Sequence, residues 1–246
     1  MDWAPPWLGV AYCKLYSAAN GTPFLLDQAL GYLQVSREQG RVILSELARR
    51  AYLMRLSRGR YMARSPLEVV FGISLGQEHP MLKQRTYEPL LREVLTRLFE
   101  RFRENLISVV LYGSVARGTA KPTSDLDLLA VVRGLPLGFY ERAEAIGEAL
   151  RGVHDSKIRL WRESGRYVNV DILPFTPEEA EVLRLLYLDF LFDGIILYDR
   201  EGFMRRVLDR LGRRVRELGG RRTTMPSGKW YWSFTEAKRK GLDIEL

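Results

Sequence analysis

One stretch of the chain, residues 111–132, constrains the fold more strongly than any other part of the sequence. An apolar strand is predicted to lead into Gly113 and Ser114, and a second apolar strand follows a short helix and a loop. Asp125 and Asp127 lie two residues apart where this second strand starts. Because side chains alternate along a strand, both carboxylates are expected on the same face. The stretch therefore predicts a pair of carboxylates opposite a glycine-serine turn, an arrangement that can hold divalent cations against a phosphate chain.

Other residues of this stretch suit the binding of phosphate. A glycine at position 113 lets the backbone come close to a ligand, and the amides that open the next helix offer a positive dipole end. The Ser114 hydroxyl adds a donor, and Arg117 and Lys121 can reach a phosphate or can simply be surface charges. The predicted nucleotide-binding residues are Gly113, Ser114, Arg117 and Lys121. The carboxylate pair supplies oxygen ligands of the kind that Mg2+ prefers.

The amino-acid sequence of residues 111–132 resembles the signature of the DNA polymerase β-like nucleotidyltransferase superfamily, and most closely that of its small prokaryotic members. The resemblance implies an α/β (α+β) fold class, with a small mixed sheet flanked by helices. It also implies an enzyme that uses two Mg2+ ions. Such an enzyme transfers a nucleoside monophosphate from a nucleoside triphosphate, with ATP the expected donor, to an acceptor hydroxyl and releases pyrophosphate.

In this superfamily a third carboxylate lies on a later strand, and Asp171 is its best match here. Val168, Val170 and Ile172 alternate with it, so it faces away from them, where a carboxylate is costly unless it is used or paired. The resemblance implies that Asp171 helps to hold one metal ion and accepts the proton of the attacking hydroxyl. The predicted catalytic residues, which are also the predicted metal ligands, are Asp125, Asp127 and Asp171.

Residues 1–65 are predicted to form a winged helix-turn-helix domain that precedes the nucleotidyltransferase fold. The pattern predicts a helix over 23–33, a second helix after Ser36 and a basic hairpin over 53–63. The predicted apolar face of the second helix consists of Val42, Ile43, Leu47 and Ala51. In such a domain the second helix enters a major groove and the hairpin follows phosphates, although a winged helix can also serve packing or protein contacts. The predicted nucleic-acid-binding residues are Arg41, Arg49, Arg50, Arg55, Arg58 and Arg60.

The remainder of the chain is predicted to contain three segments. Residues 66–86 are predicted to be a linker with a short helix near its start, and residues 87–200 to be the nucleotidyltransferase domain. Within that domain, segments 157–162 and 167–175 are predicted to pair as a hairpin about a Ser-Gly turn. Residues 201–246 are predicted to form a basic helix and an aromatic tail, which we expect to dock on the body of the protein or on a partner.

The charge distribution narrows the choice of partners. The chain has 38 Lys and Arg residues against 30 Asp and Glu residues, a net charge of +8. Residues 1–65 carry nine basic and four acidic groups, and residues 200–246 carry thirteen and six, whereas the middle is slightly acidic. Basic ends indicate a polyanionic partner, or else a solvated arginine surface. Arginine supplies 31 of the basic residues, and this usage suggests a thermophile.

Cysteine usage and apolar runs favour the cytoplasm. Cys13 is the only cysteine of the sequence, which excludes an intramolecular disulfide and fits a reducing compartment. No apolar run approaches the roughly 18 residues of a membrane helix, and the N-terminus lacks a signal-peptide pattern. We therefore expect a cytoplasmic protein without a membrane partner. The expected partners are a nucleoside triphosphate, DNA or RNA, a protein, and a second copy of the chain in a homodimer.

Three alternative functions are compatible with the sequence. The chain can be a DNA-binding transcriptional regulator whose nucleotidyltransferase domain senses nucleotide. It can be an antitoxin-like enzyme that modifies a protein partner on Tyr, Ser or Thr. It can also be an RNA- or tRNA-directed enzyme, for which the basic ends would be substrate tracks.

Overall fold

The computed structural model describes residues 3–77, 82–226 and 230–235. These residues divide into two compact units. The first contains the chain up to residue 77 together with Leu91–Thr96, and the second contains residues 82–90 and the chain from Arg97 onward. No helix in this described part of the chain is long and apolar enough to cross a membrane.

The first unit combines helices with a small antiparallel sheet. Its elements in chain order are α1 (Pro6–Ala19), β1 (Phe24–Leu25), α2 (Leu26–Leu33), α3 (Arg37–Arg49), β2 (Leu53–Ser57), β3 (Arg60–Ala63) and α4 (Pro66–Gln77). The strands lie in the order β1, β3, β2. Because Phe24 pairs with Tyr61 of β3, the chain is extended there, and α2 begins at Leu26 instead of Pro23 as predicted.

Helix α3 shows how the sequence sets the start of a helix. The Ser36 hydroxyl accepts a hydrogen bond from the Gln39 N–H at 3.3 Å, and the Gln39 side chain accepts one from the Ser36 N–H at 3.1 Å. This reciprocal pair is a capping box, so the predicted helix after Ser36 is confirmed. The buried residues of the helix are Gly40, Leu44 and Leu47. The predicted apolar face was partly wrong, because Val42 is 60% exposed and Ala51 lies beyond the helix with a φ of 60°.

Helix α4 occupies the first part of the segment that was predicted to be a linker. Val69 and Ile73 of this helix are buried and belong to the hydrophobic core of the first unit. The same core contains Leu8 and Leu15 of α1 and Leu44 of α3. Residues 66–77 therefore contribute a packed helix to the first unit, beyond the residue-65 boundary that the sequence suggested.

The second unit is built around a mixed sheet. Helix α5 (Glu88–Phe102) contains residues of both units. The elements that follow are β4 (Leu106–Leu111), α6 (Gly113–Arg117), β5 (Leu126–Val132), α7 (Phe139–Ala149), α8 (His154–Ser164), β6 (Val170–Phe175), α9 (Pro177–Glu181), α10 (Leu186–Asp193), β7 (Ile195–Asp199), α11 (Phe203–Glu217), β8 (Gly220–Thr224) and β9 (Trp230–Phe234). Four strands lie in the order β6, β5, β4, β7, with β5 parallel to β6 and β4 antiparallel to both of its neighbours. This architecture confirms the predicted mixed α/β fold class.

The two central strands carry the core of this sheet. Every residue of β4 is buried, and in β5 all residues except Asp127 are buried. Strands that are apolar on both faces need cover on both sides. Helices α10 and α11 contribute Phe190, Val207 and Leu211 to the core cluster that contains Leu129 and Val131 of β5. The central strands therefore form a rigid support for the one polar side chain that β5 presents.

The predicted hairpin between segments 157–162 and 167–175 is wrong. Residues 157–162 belong to helix α8, and β6 pairs in parallel with β5. Gly165 ends α8 with a φ of 67°, and its N–H donates to the Trp161 carbonyl at 2.8 Å. The Ser-Gly pair is thus a helix C-terminus, for which glycine in the left-handed region is as typical as it is for a hairpin turn.

The C-terminal strands β8 and β9 form a hairpin, in which Gly220 lies opposite Phe234. Trp232 and Phe234 pack against the core of the second unit, and the Trp232 ring lies 5.3 Å from Phe192 in an edge-on arrangement. The expectation that the aromatic segment docks on the body of the protein is therefore confirmed for these residues. The last part of the predicted tail, residues 236–246, lies outside the described residues.

Candidate active site

The glycine-serine turn is fastened directly to the start of β5. The Tyr112 N–H donates to the Asp127 carbonyl at 3.0 Å. Gly113 follows with a φ of 73°, in the left-handed region that favours glycine. A Cβ atom at this position would lie 1.9 Å from Asp127 Oδ2. The turn therefore needs a glycine both for its backbone conformation and for the space that the Asp127 carboxylate occupies.

The remaining predicted nucleotide-binding residues follow this turn. Ser114 and Arg117 belong to α6, which ends at Gly118 with a φ of 75°. Lys121 is exposed in the loop beyond, where its N–H donates to the Ser124 hydroxyl at 2.9 Å. Arg117 lies close enough to Asp127 to affect its pKa, Ser114 directly follows the turn at Gly113, and Lys121 lies in the loop that leads to β5.

Two of the three predicted carboxylates lie side by side on neighbouring strands, and the third lies just before one of these strands. Asp127 and Asp171 are register partners in the parallel pair of β5 and β6, so their side chains leave the sheet side by side on the same face. Asp125 precedes β5 by one residue, and its Oδ1 accepts a hydrogen bond from the Asn169 N–H at 3.4 Å. Asp127 is therefore the direct neighbour of Asp171 across the sheet, whereas Asp125 contacts the backbone just before β6.

The electrostatics of Asp127 reflect its burial and its acidic neighbours. Burial raises the pKa of Asp127, and the neighbouring Asp171 and Asp125 raise it further, while Arg117 opposes the increase. Burial also raises the pKa of the Tyr112 phenol, with Asp127 and Asp171 adding to the effect. The site thus concentrates negative charge that one arginine only partly offsets.

The carboxylates suit a hard cation through their chemistry. Oxygen ligands on adjacent strands are what Mg2+ takes, and burial together with two acidic neighbours raises the pKa of Asp127 despite the opposing effect of Arg117. The described residues nonetheless contain no group of three His, Cys, Asp or Glu side chains at ion-binding spacing. The three carboxylates thus have the chemistry of divalent-cation ligands but not the spacing of a formed ion site. Asp171 is the most exposed of the three.

Two contacts of the site were missed from the sequence. The Lys83 ammonium donates to the Arg117 carbonyl at 3.3 Å, and the Lys83 stem lies 2.7 Å from the place of a Cβ at Gly118. Tyr112 packs against Phe190 with ring centroids 5.1 Å apart. Lys83 lies in no recognisable motif. Tyr112, in contrast, directly precedes Gly113 in the sequence, and this position could have indicated that it belongs to the site.

A cleft of about 480 Å3 adjoins Asp171 between α7 and β6. Its lining is mostly apolar, and of the described residues that line it only Asp171 is charged. Phe139 lines the cleft and is 78% exposed, and Leu137 and Tyr140 beside it in the chain are also exposed. The cleft and this apolar rim form a surface on which a second substrate could approach Asp171.

The predicted nucleic-acid-binding arginines lie in the first unit and differ in how well they are neutralised. Arg49 and Arg50 both form ion pairs with Glu46, at 2.6 Å and 2.8 Å, and they lower the pKa of its carboxyl to about 2. The other four, which are exposed on α3 and on the hairpin of β2 and β3, are Arg41, Arg55, Arg58 and Arg60. These four present their charge to solvent.

Residues 91–197 match the nucleotidyltransferase domain family. The chain is 30% identical over 136 residues to a candidate protein adenylyltransferase of Methanocaldococcus jannaschii, in a match that covers 53% of this chain and 84% of that protein. The chain belongs to the nucleotidyltransferase domain family, and the protein is a nucleotidyltransferase. All the predicted catalytic and nucleotide-binding residues lie within the matched segment.

Two solved structures are also similar. One is a candidate nucleotidyltransferase from Sulfolobus solfataricus, which is 23% identical, with a TM-score of 0.30, over 56% of this chain and 92% of that one. The other is a toxin–antitoxin complex with AMP-PNP, which is 18% identical, with a TM-score of 0.29, over 50% of this chain and 90% of that one.

Proposed function

We propose that this nucleotidyltransferase transfers AMP from ATP to an acceptor hydroxyl, with release of pyrophosphate, at the site formed by Asp125, Asp127 and Asp171. The observation that carries the proposal is the side-by-side register of Asp127 and Asp171 on parallel strands, beside a turn that only glycine fits. Two Mg2+ ions held by these carboxylates would neutralise the charge that develops on the phosphate oxygens.

The other residues of the site have separate roles in this proposal. The amides of the turn at Gly113 and the Ser114 hydroxyl donate hydrogen bonds to the triphosphate. Arg117 donates to the same phosphates, and Lys121 screens their charge from the loop. Asp171, which is exposed to the cleft, accepts the proton of the attacking hydroxyl.

We propose a protein hydroxyl of Tyr, Ser or Thr as the acceptor. The relative named as a candidate protein adenylyltransferase supports this choice. The cleft beside Asp171 supports it independently, because an apolar lining with one carboxylate suits a side chain presented by a protein surface. A polyanionic RNA acceptor would meet a carboxylate there and no cation among the described lining residues.

Substitution of the paired aspartates tests the proposed reaction. The variant Asp125→Asn with Asp127→Asn should lose Mg2+-dependent ATP binding, measured by calorimetry, and the release of pyrophosphate from ATP. A matched control, Asp155→Asn with Asp209→Asn, removes the same charge from exposed helical positions of the second unit. Turnover that survives in the first variant at the level of the control would disprove the mechanism.

We propose in addition that the first unit is a winged helix that binds DNA or RNA. The element order α1, β1, α2, α3, β2, β3 and the sheet order β1, β3, β2 support this assignment. Arginines that stay exposed on α3 and on the following hairpin are suitably placed for phosphates. Arg49 and Arg50 should contribute less, because Glu46 already neutralises part of their charge.

A further inference from the structure

Trp230 is held in a fixed orientation by the second unit, far along the chain from the motif. It is the first residue of β9, where it lies opposite Thr224 of β8. Its indole Nε1–H donates to Asp189 Oδ1 of α10 at 3.1 Å. The indole ring is therefore held at its Nε1 edge by Asp189 of α10. The backbone of Trp230 is held by its pairing with β8.

Two guanidinium groups lie against this indole ring. Arg222 of β8 lies 4.3 Å from the ring centroid, and it forms an ion pair with Asp193 at 2.7 Å in which both side chains are largely buried. Arg117 of α6 lies 4.9 Å from the same ring. The ion pair with Asp193 fixes Arg222. The Trp230 side chain, which also contacts Arg117, is therefore held by Asp189, by the pairing with β8 and by Arg222.

The guanidinium of Arg117 forms no ion pair or hydrogen bond with the described residues. A guanidinium that stacks on an aromatic face keeps its N–H donors, which lie in its own plane, available to an anion. Arg117 also lies close enough to Asp127 to lower the pKa of that carboxyl. The ring thus fixes an arginine whose donors remain available beside the carboxylates.

We propose that Trp230 is a positioning residue, which holds the Arg117 guanidinium in the orientation that binds the triphosphate of ATP. The inference rests on the proposed function, which assigns Arg117 to the phosphates. It gives the C-terminal hairpin, which lies outside the segment matched to the family, a part in nucleotide binding. The interaction makes Arg117 a preorganised ligand instead of a flexible surface charge.

A double-mutant cycle on the full chain tests this role, with ATP affinity in the presence of Mg2+ measured by calorimetry. Trp230→Leu should weaken ATP binding by roughly tenfold, in the range expected for a cation–π contact. The same substitution in an Arg117→Ala background should change the affinity less than twofold. Trp230→Phe, which keeps an aromatic face, should stay within about threefold of the wild type. Tyr231→Leu is the control, since Tyr231 is the next residue of β9 and is exposed.

The outcomes separate a positioning role from a structural one. Equal losses for Trp230→Leu in the wild-type and Arg117→Ala backgrounds would overturn the inference, because the tryptophan would then act independently of Arg117. An unchanged affinity for Trp230→Leu would overturn it as well. If Arg117→Ala binds ATP as the wild type does, the assignment of Arg117 to the phosphates fails, and the inference fails with it. Loss of binding in Tyr231→Leu equal to that in Trp230→Leu would show that the hairpin fold alone matters, which also refutes it.

Discussion

Replacing Gly113 by alanine should reduce activity strongly, and the matching substitution at Gly134 can show why. Gly113 and Gly134 have nearly the same φ, 73° and 72°. A Cβ at Gly113 would lie 1.9 Å from Asp127 Oδ2, whereas a Cβ at Gly134 would have nothing within 4 Å. Gly134→Ala therefore measures the cost of the backbone conformation alone, and Gly113→Ala adds the displacement of a carboxylate.

The two effects have different magnitudes. An L-residue in the left-handed region costs about 1–2 kcal/mol, and the gain from a stiffer unfolded chain returns about 0.4–1 kcal/mol. Either substitution should therefore destabilise by about 1 kcal/mol, or about 2–4 °C in Tm for a chain of this size. At Gly113, ordinary contact at 3.4 Å also requires that Asp127 Oδ2 moves by about 1.5 Å from its 1.9 Å position. A catalytic group misplaced by about 1 Å can lose 10²-fold in rate.

The assay compares the two variants by Tm and by the release of pyrophosphate from ATP with Mg2+. Both variants should show similar modest decreases in Tm, and only Gly113→Ala should lose about 10²-fold in kcat/KM. The reasoning fails if Gly113→Ala keeps the activity of Gly134→Ala. In that case the turn would not set the position of the Asp127 carboxylate.

Three further predictions concern stability. Asp127→Asn should raise Tm at neutral pH. The pKa of Asp127 is raised above 3.8 in the folded state, so ionisation of this carboxyl destabilises the folded protein as the pH rises above 3.8. The difference in Tm between the variant and the wild type should vanish below pH 3.8. Arg142→Leu should lower Tm, because Arg142 lowers the pKa of Glu179 through two hydrogen bonds of 2.7 Å and 3.0 Å. That stability is fully present above pH 4.5 and is lost as pH falls through the lowered pKa, so the variant and the wild type should converge in acid. Ser36→Ala should cost about 1 kcal/mol by thermal unfolding, since it removes the cap on Gln39 N–H, and an unchanged Tm would contradict that role.

The sequence predicts the catalytic strands well because their signals are local. An apolar run interrupted only by Asp127 predicted β5 from Leu126 to Val132, and the structure has the same bounds. The spacing of Asp125 and Asp127 predicted that both side chains lie on the same face of the sheet, because the alternation of side chains along a strand depends only on neighbouring residues. The position of Asp171 next to Asp127 depends on which strand pairs with β5. Only the family resemblance indicated that a later strand carries the third carboxylate.

Other features depend on contacts that a local pattern does not contain. Gly165 can end a helix or make a hairpin turn, and the apolar residues before it fit either choice, so the parallel pairing of β6 could not be read from them. Trp230 is recognisable as aromatic, but its contact with Arg117 joins positions more than a hundred residues apart. Lys83 lies in a segment without periodicity, and only the fold brings it to α6.

The proposed nucleic-acid site can be separated from the nucleotide site by its salt dependence. Each phosphate contact contributes about 0.9 to the slope of log affinity against log salt for duplex DNA. One variant replaces three exposed arginines of the first unit by glutamine: Arg41, Arg55 and Arg58. A control replaces three exposed arginines of the second unit: Arg133, Arg151 and Arg162.

If the first unit contacts phosphates through these side chains, the first variant should reduce the slope by up to about 2.7 in gel shifts at several salt concentrations. The control should leave the slope unchanged, and both variants should bind ATP with the affinity of the wild type, because none of the six residues lies in the proposed nucleotide site. Equal slopes for the wild type and the first variant would exclude these arginines as phosphate contacts. The first unit would then be better explained as a surface for protein partners, which agrees with a protein acceptor at the Asp171 cleft.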